Sequence, residues 1–168
     1  MGFSWAAVNY GSAEAWPELL WICNVSNLLL AAGLLSRSGT VTWVATLWLL
    51  VGMPLWLWDG LTDAFASHSF VTHVGSATVG LLSLSALDKR RRVWWMALGY
   101  ATALQWLSRA VTPPGPNVNS AHTVYRQLTG VFSSYPTYWV VSFIGLLVVF
   151  AVLERVVERV VSTGRGSA

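Results

Sequence analysis

Cys23 is the only cysteine in the chain, and His68, His73 and His122 are its three histidines. A thiol and an imidazole can form a nucleophile–base pair if a third polar group orients the ring. Cys23 as thiolate and His73 as base make that pair, with Asn27, Asp63 or Asn119 to orient the imidazole. Asn24, Asn27, Asp59, Asp63, Gln105, Arg109, Asn117, Asn119 and His122 are the polar residues that would bind a ligand around it. Two other chemistries draw on the same residues. The three histidines with a carboxylate could hold a metal ion, although His68 and His73 lack the i, i+4 spacing that sets two ligands on one helical face. A single membrane histidine also suffices as the axial ligand of a haem or pigment. One cysteine leaves no internal disulfide and no multi-cysteine metal cluster.

The elements that carry these residues follow from composition. The chain has 168 residues, 55% hydrophobic and 10% charged, with a mean hydropathy of +0.56. Soluble domains carry roughly 25% charged residues, so this chain cannot cover a water-facing surface, and its length suits one domain. The net charge of +3 is no nucleic-acid signal, because the basic residues sit in short loops beside apolar runs. Eleven Trp fit the aromatic belts found at headgroup level, or the lining of a lipid or pigment cavity. The N-terminal residues lack the basic and apolar regions of a cleavable signal, and Ala6 stands where myristoylation wants Ser or Thr.

A membrane span needs about 20 mainly apolar residues. Five such segments are expected: about Pro17 to Leu35, Thr40 to Trp58 with Pro54 as a kink, Ser69 to Leu87, Val93 to Val111, and Pro136 to Leu153. The prolines of Pro113-Pro114-Gly115-Pro116 end the fourth. The fifth is expected to continue into water through Glu154, Arg155, Glu158 and Arg159. The expected fold is therefore an all-α integral membrane bundle of about five transmembrane helices. Residues 1–16 form an interfacial segment, 17–153 the bundle, and 154–168 a cytoplasmic helical extension and tail.

Eight of the ten basic residues fall on one side of this topology: Arg37, Lys89, Arg90, Arg91, Arg92, Arg155, Arg159 and Arg165. Arg109 and Arg126 fall on the other. The positive-inside rule then sets the N-terminus outside and the C-terminus in the cytoplasm, as five spans require, and the bacterial inner membrane is the expected location. Small residues in the third span (Gly75, Ser76, Gly80, Ser83, Ser85) and the fourth (Ala97, Gly99, Ala101, Ala103) mark both as central packing helices.

This orientation collects the polar residues. Glu14, Glu18, Asp59, Asp63, His68, His73, Asn117, Asn119, His122 and Arg126 fall at the outer face, with Gln105 and Arg109 near the outer end of the fourth span. Cys23 lies roughly 9 Å below the outer end of the first. Polar groups at membrane depth are costly and often mark function, so one cavity opening to the outer leaflet is expected. Each residue also has a structural role open to it. Cys23 can be a small buried apolar residue, Asn24 and Asn27 interhelical hydrogen-bonding groups, and Asp59 and Asp63 solvated loop carboxylates.

From Trp16 to Leu153 the chain resembles the YwaF-like integral membrane proteins, which are similar to the androgen-induced and androgen-dependent membrane hydrolases. The resemblance lies in Cys23-Asn24 leading into a Leu-rich run, in Phe70-Val-Thr-His73-Val-Gly, in Gly115-Pro-Asn117-Val-Asn119, and in Tyr135-Pro-Thr-Tyr138-Trp139. It implies acyl-ester hydrolysis or transfer on lipid, with Cys23 as nucleophile and His73 as base. The leading expectation is thus a lipid acyl hydrolase or acyltransferase at the outer leaflet. The alternatives are a Trp-rich accessory subunit of a membrane complex that binds pigment, haem or lipid, and metal binding at the outer face. Membrane lipid and membrane-protein partners are expected, and nucleic acid is not.

Overall fold

The computed structural model describes residues 16–62, 67–87 and 92–165, and every regular element among them is helical. A 3₁₀ turn, Trp16–Leu20, precedes α1 (Ile22–Leu35), and α2 (Gly39–Thr62) follows. Then come α3 (Ser67–Phe70), a π-helical turn over Val71–Gly75, and α4 (Ser76–Leu84), without a break in helical backbone angles. Finally, α5 (Trp94–Val111) and α6 (Tyr135–Arg165) are joined by a connection containing the short turns Val118–Ser120 and Arg126–Leu128. Residues 1–15 of the expected interfacial segment lie outside the described residues.

The turn between α1 and α2 shows how local chemistry sets these boundaries. Arg37 takes a left-handed conformation, φ 51°. The Ser38 N–H then reaches Gly33 O at 2.8 Å and the Arg37 N–H reaches Leu34 O at 3.2 Å, the paired bonds that satisfy the last carbonyls of a helix. Ser38 also opens α2, its Oγ accepting from the Val41 N–H at 3.4 Å.

The most enclosed helix is α2, which corrects the expectation that the third and fourth spans are central. From Thr42 to Leu49 every residue of α2 is buried, as is Gly52. A helix apolar on all sides needs neighbours on all sides, and α1, α4, α5 and α6 supply them. Two glycines set the closest approaches. A Cβ on Gly33 would lie 2.8 Å from the Thr42 backbone nitrogen, and one on Gly80 would lie 2.5 Å from Thr46 Oγ1. Thr42 and Thr46 satisfy their hydroxyls on Ser38 O and Thr42 O within α2. Trp48 ties three helices together: its Nε1 donates to Ala97 O of α5 at 2.7 Å, and its ring meets Phe150 of α6 edge-on at 4.8 Å.

Among the described residues, two segments are long and apolar enough to cross a membrane: α2 and the Tyr135–Ser162 stretch of α6. By contrast α1 has 14 residues, a rise of about 21 Å against a hydrocarbon core of about 30 Å. The expected first span is shorter because the chain breaks at Trp21 (φ −52°, ψ 132°), between the 3₁₀ turn and α1. The second runs a turn further than expected, so Asp59 lies on α2 and not in a loop. Glu154, expected in water, is 3% exposed. Its Oε1 accepts from the Val93 N–H at 2.8 Å and its Oε2 from the Trp94 N–H at 3.2 Å, capping α5 from α6. Val157 is also buried, so packing continues beyond the expected boundary at residue 153.

Candidate functional site

The polar residues singled out from sequence gather around the connection between α5 and α6. Asn117 (φ 46°) and Asn119 (φ 54°) both take left-handed backbone angles, which asparagine tolerates better than other side chains. Asn117 Oδ1 accepts from the His122 and Thr123 N–H groups, each at 3.0 Å, and its Nδ2 donates to Thr123 O at 3.2 Å. This fixes the shape of the turn. Asn119 reaches out of it: its Nδ2 donates to Leu20 O at 2.8 Å and to Ser108 Oγ at 2.9 Å, and its Oδ1 accepts from the Ile22 N–H at 2.8 Å. One amide therefore fills the backbone break ahead of α1 and fastens it to α5.

Side chains from α2, α5 and α6 hold the rest of the connection. Gln105 Nε2 donates to Asn119 O at 3.3 Å and Ser120 O at 3.2 Å, while its Oε1 accepts from Trp139 Nε1 at 2.9 Å. A guanidinium nitrogen of Arg109 donates to Ala121 O at 2.7 Å, and the group lies 5.5 Å from the centroid of the Tyr135 ring. The Tyr135 hydroxyl bonds to the same region, at Ser120 O and Ala121 O. Asp59 accepts from the Tyr125 hydroxyl at 2.6 Å and from Gln127 Nε2. Burial first, then the hydrogen bond to Asp59 and the nearby Asp59 charge, push the Tyr125 phenol above its ordinary range.

Cys23 and His73 stand apart from this network. The Cys23 sulfur packs on α2 opposite Gly52, 3.1 Å from where a Cβ there would lie. His73 lies in the π-helical turn and stacks on Trp56, one helical turn further along α2, with centroids 4.9 Å apart and planes 10° apart. Its Nδ1 is 2.9 Å from Ser69 O. A carbonyl only accepts, so Nδ1 is the nitrogen that carries a proton in this bond, and in the neutral ring Nε2 then keeps its lone pair. Ser69 Oγ accepts from Trp56 Nε1 at 2.7 Å. Among the described residues no hydrogen bond joins the Cys23 thiol to the His73 ring.

The remaining candidates are distributed as follows. Asn24 Nδ2 donates to Glu18 O and Asn27 Nδ2 to Cys23 O, both at 3.0 Å, and Asn27 Oδ1 is buried without a partner among the described residues. His122 Nε2 is 3.5 Å from Thr112 Oγ1. Asp63 and the side chain of His68 lie outside the described residues. Among the described residues no three His, Cys, Asp or Glu side chains gather as a metal site would require.

Sequence reading gave no site role to Ser108, Tyr125, Gln127 or Glu154, and singled out Tyr135 and Trp139 only within the Tyr135-Pro-Thr-Tyr138-Trp139 resemblance. Glu154 carried a signal, an acid at the end of a long apolar run. The others are ordinary loop and interface residues whose partners lie on distant helices. Comparison with known proteins finds no match: no family model, no curated protein and no solved structure.

Proposed function

We propose that this chain is a multi-pass membrane protein acting as a lipid-embedded accessory component, with five spans, an external N-terminus and a cytoplasmic C-terminus. One observation carries the accessory role. The polar residues a catalytic pocket would need are bonded within the bundle itself: Asp59, Gln105, Arg109 and Asn117 to the connecting loop, and Asn119 from that loop to Leu20 O and the Ile22 N–H. Support for the membrane comes from α6, where only 17% of the most apolar stretch is buried. Val141, Ile144, Val148, Val152 and Val156 are exposed along it, a face that suits acyl chains far better than water. The distribution of Arg37, Arg92, Arg155 and Arg159 supports the orientation. Under this reading the bacterial inner membrane is the site of action, and lipid or a neighbouring membrane protein is the partner.

A second reading keeps the YwaF-like resemblance and assigns acyl chemistry to Cys23 and His73. The observation in its favour is His73 Nδ1 anchored on Ser69 O, which leaves Nε2 as the acceptor a general base needs. The same free nitrogen would suit an axial ligand.

A thiol-directed acyl probe applied to the membrane-embedded protein separates these. The accessory reading expects no labelling that depends on both residues. Labelling abolished by Cys23→Ala and by His73→Ala, with the fold retained, would establish the acyl enzyme instead. A visible absorption band lost with His73→Ala would assign a pigment or haem.

A further inference from the structure

At the end of the bundle nearest their connection, α5 and α6 flank an open cleft of about 310 Å³. Its walls are Gln105, Trp106 and Arg109 from α5, and Tyr135, Trp139 and Val140 from α6. Three features of this cleft bear on what fills it. First, its chemistry is graded. Arg109 lies at the end nearest the connecting loop, while Trp106, 59% exposed, and Val140, 49% exposed, continue it along the apolar faces. Second, one wall is fixed in place, because Trp139 Nε1 is held by Gln105 Oε1 and Gln105 is held by the loop. Third, no described carboxylate compensates its charge. A guanidinium has five N–H donors; one is spent on Ala121 O and the face rests over Tyr135. Among the described residues no carboxylate lines the cleft, and none partners Arg109.

We propose that this cleft binds the headgroup phosphate of an anionic phospholipid through Arg109, with an acyl chain laid along Trp106 and Val140. The proposal rests on the membrane reading and adds to it the lipid class and the site. Charge complementarity selects the occupant. An arginine held by one bond and one ring keeps a fork of donors for two phosphate oxygens, and tryptophans flanking it belong at the depth where phosphates lie. A free phosphate ion would use Arg109 but would leave the apolar end of the cleft without a role.

The test is native mass spectrometry of the full-length protein, titrated in detergent with phosphatidylglycerol or phosphatidylcholine of matched chains. Wild type should retain phosphatidylglycerol in preference. Arg109→Gln should lower that affinity on the order of tenfold, the factor expected from one lost charge-assisted contact. Arg109 also holds the loop, so Val140→Trp provides a second variant that fills the cleft and leaves every loop contact in place. It should abolish the preference while Arg109→Lys retains part of it. Equal retention of both lipids by wild type, or an unchanged preference in Val140→Trp, would overturn the proposal. So would phosphatidylglycerol binding that inorganic phosphate removes without any dependence on chain length. Alkaline carbonate extraction from the host membrane separates this from the broader reading: release of the protein rejects membrane embedding itself, whereas retention with no lipid preference rejects the cleft alone.

Discussion

Asn119 Oδ1 accepts the Ile22 N–H at 2.8 Å while Asn119 Nδ2 donates to Leu20 O at 2.8 Å, so one side chain spans the backbone break at Trp21. The residues it joins are nearly a hundred positions apart, and the bonds hold α1 to the α5–α6 connection. The break exposes one donor and one acceptor that helical bonding would otherwise have used, and an amide is the side chain that matches both.

Asn119→Asp keeps the acceptor for Ile22 but loses the donor to Leu20 O and Ser108 Oγ. Asn119→Gly keeps the left-handed backbone and loses all three bonds. Each lost bond, in a partly buried setting, costs about 1 kcal/mol and more where a partner is stranded. Both variants should unfold earlier, by about 2 to 4 kcal/mol. Thermal unfolding in detergent checks the size. Proteolysis of the connection checks the cause, since cleavage there should accelerate. A variant with wild-type stability would remove Asn119 from this role.

Much of this fold was legible in sequence because apolar segments and their punctuation are local. Trp94–Val111 follows the expected fourth span to within one residue, bounded by a basic loop and by Pro113-Pro114. The turn at Arg37 fell between two apolar runs. What sequence could not show was partnership. Asn117, Asn119, Gln105 and Asp59 stood out as polar residues at one depth, and they do converge. Yet whether an amide binds a ligand or a backbone carbonyl depends on a contact about 100 residues away. Asp59 read as solvated because its partners, Tyr125 and Gln127, carry no motif. The centrality of α2 was hidden for a related reason. Small residues in other helices mark where they approach something, but Gly33 and Gly80 name no partner until Thr42 and Thr46 are seen against them.

Gly33→Ala tests that crossing. Its new Cβ would sit 2.8 Å from the Thr42 nitrogen and 2.7 Å from its Oγ1, so α1 and α2 must separate. Overpacking of this kind costs about 1 to 3 kcal/mol. Gly99→Ala is the control, because a Cβ there meets nothing within 4 Å, and alanine favours a helix by about 1 kcal/mol over glycine. Unfolding midpoints should therefore move in opposite directions. A matching shift in both would show that the approach at Thr42 is not what limits the crossing.

Tyr125 supplies a dependence on alkaline pH. Burial and the bond to Asp59 raise its phenol above the ordinary value of 10.0. A folded-state value above the unfolded one gives a contribution that is complete below pH about 10 and is lost as pH rises toward the folded value, because the unfolded chain releases the proton first. Stability measured from pH 8 upward should hold and then fall above about pH 10. Tyr125→Phe should start lower and lose part of that slope. If both proteins show the same alkaline slope, the phenol does not contribute to it.

Glu154 makes a further stability prediction, because a buried carboxylate is expensive unless its hydrogen bonds are complete. It accepts the Val93 and Trp94 N–H groups at the start of α5, where the helix dipole also favours negative charge. Glu154→Gln keeps one acceptor and loses the charge, for a cost of about 1 to 2 kcal/mol. Glu154→Leu strands both N–H groups under an apolar side chain of similar size and should cost about 2 to 4 kcal/mol. The ranking, wild type above Gln above Leu, is read from unfolding midpoints in detergent, and amide exchange at Val93 and Trp94 should rise in the same order. Leu matching wild type, with protection at Val93 intact, would mean that the start of α5 is held by packing and not by this carboxylate.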